Sequence, residues 1–201
     1  DQRLKQEKHL DSVVTILREI HGFAVRFLED EDNQAAFRAI IVERESGEKN
    51  RLQYQLSRFN IDAPVGMNLI LTNEESQIVY STLSGIEMNL HRQEFNRIAV
   101  ENARRQNRDI YSTVYYFSGD SSEYVLVCPL YEGSTYIGSV SSYLKEEDWE
   151  KNFRKYQYDT ILTNSDDDII YCSNIAFRPT GAGNKYFPSG TGDIFPIDMT
   201  V

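Results

Sequence analysis

An arginine and a group of tyrosines in the middle of the chain have the chemistry to bind a small molecule. Arg108 comes just before a Tyr-rich apolar segment, and a guanidinium can hold a carboxylate through two parallel hydrogen bonds. A tyrosine offers a flat apolar ring and a hydroxyl, which together suit small polar ligands. The candidate ligand-binding residues are Arg108, Tyr111, Tyr115, Tyr116, Tyr131 and Tyr136. The alternatives are a solvated arginine at a helix end and tyrosines that only pack within the core.

Other reactive groups do not form a recognisable site. The histidines His9, His21 and His91 lie far apart in sequence on predicted helices. The acidic turn at 164–168 lacks the Gly and the distal Glu of a calcium-binding EF-hand loop. Neither a phosphate-binding loop nor a G-x-S-x-G motif is present. The sequence therefore predicts no catalytic residue, no metal site and no cofactor.

Charge and hydropathy exclude two classes of partner for the chain itself. The formal net charge is −10, which argues against nucleic-acid binding because phosphate contacts need clustered Lys and Arg. No uninterrupted apolar run is long enough to span a bilayer. The chain does not begin with Met, so we expect it to be a piece of a longer protein. Membrane-spanning helices would then flank this chain rather than lie within it.

The two cysteines, Cys128 and Cys172, each lie in a segment with the pattern of a β-strand. Neither belongs to a CxxC motif or a Cys/His cluster, so a structural zinc site has no support. Two buried free thiols are the favoured interpretation. A disulfide is the alternative if the chain is extracellular.

The N-terminal segment is predicted to be a long amphipathic helix. Its apolar residues follow a heptad seam of Leu10, Val13, Leu17, Ile20, Ala24 and Phe27, widened by Val14, Ile16, Phe23 and Leu28. So wide an apolar face can pack against its own domain and against a partner chain at the same time. We therefore expect a homodimer through this helix. A break at 30–33, a helix over 34–45 and a third short helix before Pro64 are predicted to follow.

The rest of the chain has the pattern of an α+β layer. Residues 67–73 and 77–82 predict a hairpin, and 87–107 predict a helix. Strands over 112–119, 123–132 and 135–144 are joined by short polar turns, which indicates an antiparallel meander, and a helix is predicted over 145–155. The prediction is a five-stranded antiparallel sheet with helices at its side. In its last strand, alternation would place Tyr136, Gly138, Val140 and Ser142 on one face.

One phrase occurs twice in the chain. ILTNEESQIVYST at 70–82 returns as ILTNSDDDIIYCS at 161–173, with the same length and the same place for its polar turn. A chance match between two hairpins is one interpretation, and an internal duplication is the favoured one. Under duplication the second phrase opens a second sheet, and this unit is degenerate or truncated because few residues follow it.

The segment VLVCPLYEGSTYIGSVSSYLKEEDWEK resembles the closing strands of Cache sensor domains, the extracytoplasmic PAS-like domains. The matching residues are Pro129, Leu130, Tyr131, Ile137 and Gly138, and the first hairpin ends in the similar pair Tyr80-Ser81. The resemblance covers about residues 1–155 and implies a PAS-like sheet behind a leading helix. The double-Cache arrangement implies a helical segment at 1–60, a sensor domain at 61–156 and a partial second unit at 157–201.

The resemblance also implies a function. The chain is expected to be the extracytoplasmic ligand-sensing domain of a bacterial membrane receptor, a histidine kinase, and to catalyse nothing itself. A small ligand would bind among the tyrosines, and the leading helix would carry the change towards the membrane. Amino-acid-binding members carry an Arg-x-Trp-Tyr-type motif where this chain has Arg-Asp-Ile-Tyr at 108–111, so an amino-acid ligand is not implied. An intracellular PAS- or GAF-like regulatory module is the alternative.

Overall fold

The chain folds into helices packed on both faces of one antiparallel sheet. The computed structural model describes residues 2–118, 121–145, 161–163 and 169–172. The helices in this part are α1 (Gln2–Glu29), α2 (Glu31–Arg38), α3 (Ser46–Asp62) and α4 (Leu90–Gln106), with a π-helical turn at Ala39–Glu43. The strands are β1 (Met67–Asn73), β2 (Ile78–Ser81), β3 (Tyr111–Ser118), β4 (Ser121–Glu132), β5 (Thr135–Lys145), β6 (Ile161–Thr163) and β7 (Ile169–Cys172).

The junction between α1 and α2 is a helix cap, and the predicted break at 30–33 is confirmed but is limited to Asp30. Asp30 has extended backbone, and its carboxylate accepts a hydrogen bond from the Asn33 backbone N–H at 3.0 Å. This satisfies one of the amide groups that a helix leaves open at its start. Helix α2 begins directly after this cap. Glu31 and Asp32 occupy its first turn, where acidic side chains interact favourably with the helix dipole.

The first five strands form one sheet in the order β2-β1-β5-β4-β3, and every neighbouring pair is antiparallel. This arrangement confirms the predicted α+β, PAS-like fold with a long N-terminal helix. The central strand β5 pairs with β1 on one side, where Val140 faces Leu71, and with β4 on the other, where Ser142 faces Leu126. The hairpin and the meander therefore belong to one sheet.

Alternating side chains divide the sheet between two cores. One face packs against the first three helices through residues that include Leu69, Leu71, Tyr124, Leu126, Val140 and Leu144. The opposite face packs against α4 through residues that include Ile70, Tyr111, Tyr115, Val125, Val127 and Tyr143. We call these the α1 face and the α4 face.

The heptad seam of α1 faces the protein's own sheet. Leu17 is 3% exposed and Ala24 is 1% exposed, and both belong to the core on the α1 face. On the widened side of the stripe, the Phe23 ring lies 4.4 Å from the ring of Phe59 in α3. The sheet and α3 together cover most of the wide face, on which Leu10, Ile16 and Phe23 stay partly exposed. The seam is therefore not available to a second chain, and the expectation that it forms the dimer contact is wrong.

A β-bulge in β5 changes which residues share a face. Leu130 pairs with Gly138 but Tyr131 pairs with Tyr136, so Ile137 is an extra residue in the ladder. Tyr136 consequently packs on the α4 face while Val140 packs on the α1 face. The predicted shared face of Tyr136 and Val140 is wrong, because simple alternation does not hold across a bulge.

The second hairpin repeats the pairing register of the first. In the first, Ile70, Leu71 and Thr72 pair with Ser81, Tyr80 and Ile78, with a register shift after Leu71. In the second, Ile161, Leu162 and Thr163 pair with Cys172, Tyr171 and Ile169, with a register shift after Leu162. The two phrases therefore form the same bulged antiparallel pair.

Several predictions fall outside the described residues. They are the helix over 145–155, the acidic turn at 164–168 and the tail after 172. Within the described ranges, no helix combines the length and the apolar character needed to cross a bilayer.

Candidate functional site

A layer of buried polar side chains lies between α4 and the sheet. Helix α4 is amphipathic, yet two of the residues on its buried side are the polar residues Arg92 and Asn96. The facing strands contribute Tyr115 from β3, Glu123 from β4 and Tyr143 from β5. We call these five residues the inner cluster. Because buried polar groups are unfavourable unless they are paired, their contacts define the site.

An ion pair lies at the centre of the inner cluster. Arg92 Nη1 donates to Glu123 Oε2 at 2.5 Å, and the two side chains are only 4% and 3% exposed. Arg92 lies in the first turn of α4, where its backbone N–H donates to Asn89 Oδ1 at 2.8 Å. Arg92 is thus held both by its backbone, at the start of α4, and by its side chain, at Glu123. This pair joins the N-terminal end of α4 to the beginning of β4.

Two tyrosine rings enclose the guanidinium of this ion pair. The Arg92 Cζ atom lies 4.7 Å from the ring centre of Tyr115 and 5.0 Å from that of Tyr143. These are distances at which a cation is attracted to an aromatic ring. The two rings meet edge to face, with their centres 6.3 Å apart. The guanidinium of Arg92 therefore contacts a carboxylate and two aromatic rings at the same time.

The tyrosine hydroxyls of the inner cluster are also hydrogen-bonded. Tyr143 donates to Asn96 Oδ1 at 2.9 Å, and the Tyr115 hydroxyl lies 3.0 Å from Nδ1 of the exposed His91. Burial raises the pKa of Tyr143 and of Tyr115 above the usual value for tyrosine. Both hydroxyls consequently stay protonated near neutral pH and can act as hydrogen-bond donors.

A second arginine and tyrosine meet at the other end of α4. The Arg104 Cζ atom lies 3.9 Å from the ring centre of Tyr136, whose hydroxyl donates to Ser139 Oγ at 3.3 Å. Ser139 in turn lies within hydrogen-bonding distance of Thr72, at 2.8 Å between the side-chain oxygens. The Tyr131 ring stands edge-on to Tyr136 with centres 5.7 Å apart. We call these five residues the outer cluster.

The structure does not bring the predicted site residues together in one place. Tyr115 belongs to the inner cluster, and Tyr131 and Tyr136 belong to the outer cluster. Tyr111 is 3% exposed in the core on the α4 face, and Arg108 is exposed between α4 and β3. Tyr116 pairs with Ser122 in the β3–β4 ladder, and its side chain lies outside the described part of the structure.

Sequence reasoning missed Arg92, Asn96 and Arg104, because all three lie in a segment identified only as a helix. The buried side of α4 carries Arg92, Asn96, Ala99, Val100 and Ala103. This spacing follows one face of a helix. Two polar residues within an apolar face are the signal that could have identified Arg92 and Asn96 as part of a buried polar site.

A groove that shares Tyr131 with the outer cluster opens on the α1 face, at the end of α1. Its volume is about 660 Å³. Its lining comprises Glu29, Glu31, Gln34, Ala35, Arg38, Asp109, Ile110, Cys128, Pro129, Leu130 and Tyr131. Cys128 is a free thiol, as predicted, and burial raises its pKa to about 11, so it stays protonated at neutral pH. The side chain of Cys172 lies outside the described residues. Among the described residues, no three or more His, Cys, Asp and Glu side chains are grouped to hold a metal ion.

Comparison with known proteins finds a similar fold in solved sensor domains. No family model matches the chain, and no curated protein matches it in sequence. The sensor domain of the V. cholerae histidine kinase DctB aligns with a TM-score of 0.54 at 12% identity, over 88% of this chain and 67% of that one. The sensory domain of the Campylobacter jejuni chemoreceptor Tlp3 with isoleucine bound aligns with a TM-score of 0.43 at 16% identity, over 86% and 74%. The Tlp3 ligand-binding domain in complex with L-valine gives 0.42 and 17%, over 86% and 74%.

The alignment with the DctB sensor domain confirms the resemblance to Cache-type sensor domains at the level of the fold. The DctB sensor domain shares the architecture over most of this chain despite little sequence identity. The fold itself is thus PAS-like. The double-Cache subtype remains a prediction.

Proposed function

We propose that this chain is the extracytoplasmic ligand-sensing domain of a bacterial membrane receptor, with a histidine kinase as the expected output. The observation that carries the proposal is the inner cluster, a buried ion pair between tyrosine rings on one face of a PAS-like sheet. Replacing a buried ion pair by apolar residues is often neutral or stabilising, so such a pair is weak evidence for a purely structural role. A fold shared with a histidine-kinase sensor domain supports the same function.

The ligand in this proposal binds on the α4 face. Tyr115 of the inner cluster and Tyr131 and Tyr136 of the outer cluster keep the roles predicted for them, and Arg92 and Arg104 join them. Arg108, Tyr111 and Tyr116 stay predicted contacts. A small polar molecule would meet protonated tyrosine hydroxyls and guanidinium groups there, so the site favours a ligand with hydrogen-bond acceptors.

The leading helix α1 transmits the ligand-dependent change in this proposal. Because its apolar face is part of the core, a shift of the sheet is coupled to α1 by direct packing. A homodimer through α1 remains part of the proposal. It would use the outward stripe, which includes Leu4, Lys8, Asp11 and Thr15, all of them exposed. The identical registers of the two hairpins support a second, partial unit after residue 156.

A thermal-shift screen with amino acids, organic acids, sugars and divalent ions tests the proposed function. A ligand at 100 times its Kd stabilises the native state by about 2.7 kcal/mol, and the melting temperature rises accordingly. We expect one class of compound to raise the melting temperature of the wild-type chain. Tyr115→Phe and Asn96→Ala should reduce that rise by removing polar contacts at the site.

Tyr54→Phe is the matched control, because Tyr54 is 64% exposed on α3 and lies in neither cluster. Its ligand response should equal that of the wild type. The proposed site is contradicted if the ligand response survives substitutions in both clusters. The proposed function is contradicted if no compound in the screen binds.

A further inference from the structure

Arg92 already holds a carboxylate in a nearly dry setting. Its guanidinium contacts Glu123 at 2.5 Å, both side chains are almost fully buried, and two aromatic rings contact the cation. Most of the desolvation penalty for burying this arginine is therefore met within the folded protein itself. A second carboxylate that took the place of Glu123 would find a preorganised partner.

Exchange of one carboxylate for another keeps the charge of the buried site unchanged. The incoming carboxylate loses its hydration, but Glu123 regains hydration if its side chain turns out to solvent. An incoming neutral group would instead leave Arg92 without an anionic partner, which is strongly unfavourable in a buried site. The buried site around Arg92 therefore favours the binding of a carboxylate-bearing molecule over that of a neutral one.

We infer that Glu123 is an internal competitor for Arg92, and that a small carboxylate ligand binds by displacing it. This inference rests on the proposed function and names the ligand chemistry and the switch at the same site. In the unliganded state Glu123 occupies the ligand's place, and in the liganded state the Glu123 side chain is released.

The release of Glu123 has a structural consequence. Arg92 lies in the first turn of α4, directly after the segment that connects β2 to the helix, whereas Glu123 lies near the start of β4. The ion pair is a side-chain link between these two elements. A ligand that binds Arg92 breaks this link, and the N-terminal end of α4 can then shift relative to the beginning of β4. Such a two-state contact is what a sensor needs to convert binding into a conformational change.

Acetate, propionate and succinate are the probes, and acetamide, propionamide and succinamide are their neutral counterparts. Binding to the full chain is measured by calorimetry and by thermal shift at constant ionic strength. The wild type should bind a carboxylate but not its amide. Glu123→Gln keeps the shape of the side chain and removes the competing charge, so its carboxylate affinity should rise by about tenfold or more.

A second variant keeps the test decisive if Glu123→Gln does not fold. Glu123→Asp retains a buried carboxylate but shortens its reach to Arg92, so it should bind the probe with an affinity above that of the wild type. Arg92→Gln combined with Glu123→Gln removes both charges together, leaves no unpaired ion and should bind no carboxylate. Glu101→Gln is the matched control, because Glu101 pairs with Arg97 on the exposed side of α4. Its affinity should equal that of the wild type.

The inference is overturned if neither folded Glu123 variant binds a carboxylate more tightly than the wild type. It is equally overturned if the double variant still binds, or if no carboxylate binds to any form of the chain. If another class of compound from the wider screen binds while carboxylates do not, this inference fails and the proposed sensing function stands. If no compound of any class binds, both fail.

Discussion

Gly138 occupies a point where β5 approaches its neighbours too closely for any side chain. A Cβ atom there would lie 2.2 Å from the Thr72 carbonyl oxygen and 2.9 Å from Ile41 Cγ2, and the backbone φ is +154°. Backbone strain and overpacking should each destabilise a larger residue. We expect Gly138→Ala to lower the free energy of unfolding by about 2–4 kcal/mol in urea titrations.

Gly85→Ala provides the comparison for this prediction. A Cβ at Gly85 would meet no atom within 4 Å, and its backbone φ lies outside the range that favours glycine. This change should alter the free energy of unfolding by no more than about 0.5 kcal/mol. Equal effects of the two substitutions would show that the close approach at Gly138 does not constrain the sheet.

His21 should make stability depend on pH. It lies on α1, its Nδ1 atom is 3.1 Å from the Tyr124 hydroxyl, and burial lowers its pKa below the usual 6.5. The unfolded chain therefore binds a proton at this position more readily than the folded chain does. The resulting loss of stability begins as the pH falls through about 6.5 and is complete below the folded pKa. At pH 7.5 the group contributes no such penalty.

The test compares melting temperatures of the wild type and His21→Gln between pH 7.5 and pH 5.0. We expect the variant to lose less of its melting temperature on acidification than the wild type, because Gln does not titrate. Tyr124 does not contribute in this range, since burial raises its pKa to about 12. Parallel pH profiles for the two proteins would contradict the prediction.

The sequence predicted the types of residue in the site better than their arrangement. Tyr115 and Tyr136 do contact guanidinium groups, but those of Arg92 and Arg104 instead of Arg108. Proximity in sequence favoured Arg108, whereas the packing of α4 across the strands brings residues from its two ends to the sheet. Side-chain partners of this kind depend on the tertiary packing of α4, which local patterns do not determine.

At the scale of the elements, α1 should behave as a part of the core. Leu17 is 3% exposed and packs in the cluster on the α1 face. Leu17→Ala should therefore lower the free energy of unfolding by about 2–4 kcal/mol, through lost burial and a residual cavity. Leu17→Glu should prevent folding, because it would bury an unpaired charge.

Chemical denaturation and light scattering check both parts of this prediction. Thr15→Ala on the exposed side of the same helix should change stability by no more than about 0.5 kcal/mol. The oligomeric state of Leu17→Ala should equal that of the wild type. A folded, monomeric Leu17→Glu protein from a dimeric parent would instead show that the seam is a dimer contact.

Helices and strands were predictable where one periodic pattern persisted. The strands β1, β4 and β5 begin and end within two residues of the predicted limits, because apolar β-branched runs between polar turns are typical of strands. The bulge at Ile137 was not predictable, since one extra residue leaves the pattern of residue types almost unchanged. The packing partner of the α1 seam was also not predictable, because a heptad pattern can pack against a neighbouring sheet as well as against a second helix.

At the scale of the whole molecule, the residues up to 156 should fold without the remainder. Among the described residues, every member of the two core clusters lies between Leu10 and Leu144. A chain of residues 1–156 should therefore unfold cooperatively in circular dichroism, with a melting temperature within about 4 °C of the full chain. A shortened chain that does not fold would place part of the essential core beyond residue 156.

The repeated phrase was the part of the sequence that carried the most information about the whole molecule. Its second copy forms the same bulged pair as the first, down to the position of the register shift. Identical pairing at this detail follows from identical placement of apolar residues around a turn of the same length. The extent of a second unit was not predictable, because it depends on contacts that one hairpin does not define.

The burial of α1 against its own sheet has a consequence for the design of chimeric proteins. A chimera that joined a foreign leading helix to this sheet would replace side chains such as Val13, Ile20 and Leu28 that fill the protein interior. The helix and the sheet should therefore be transferred together as one folded unit. A productive fusion boundary should lie upstream of the buried His9, in the part of α1 where Leu4 is exposed.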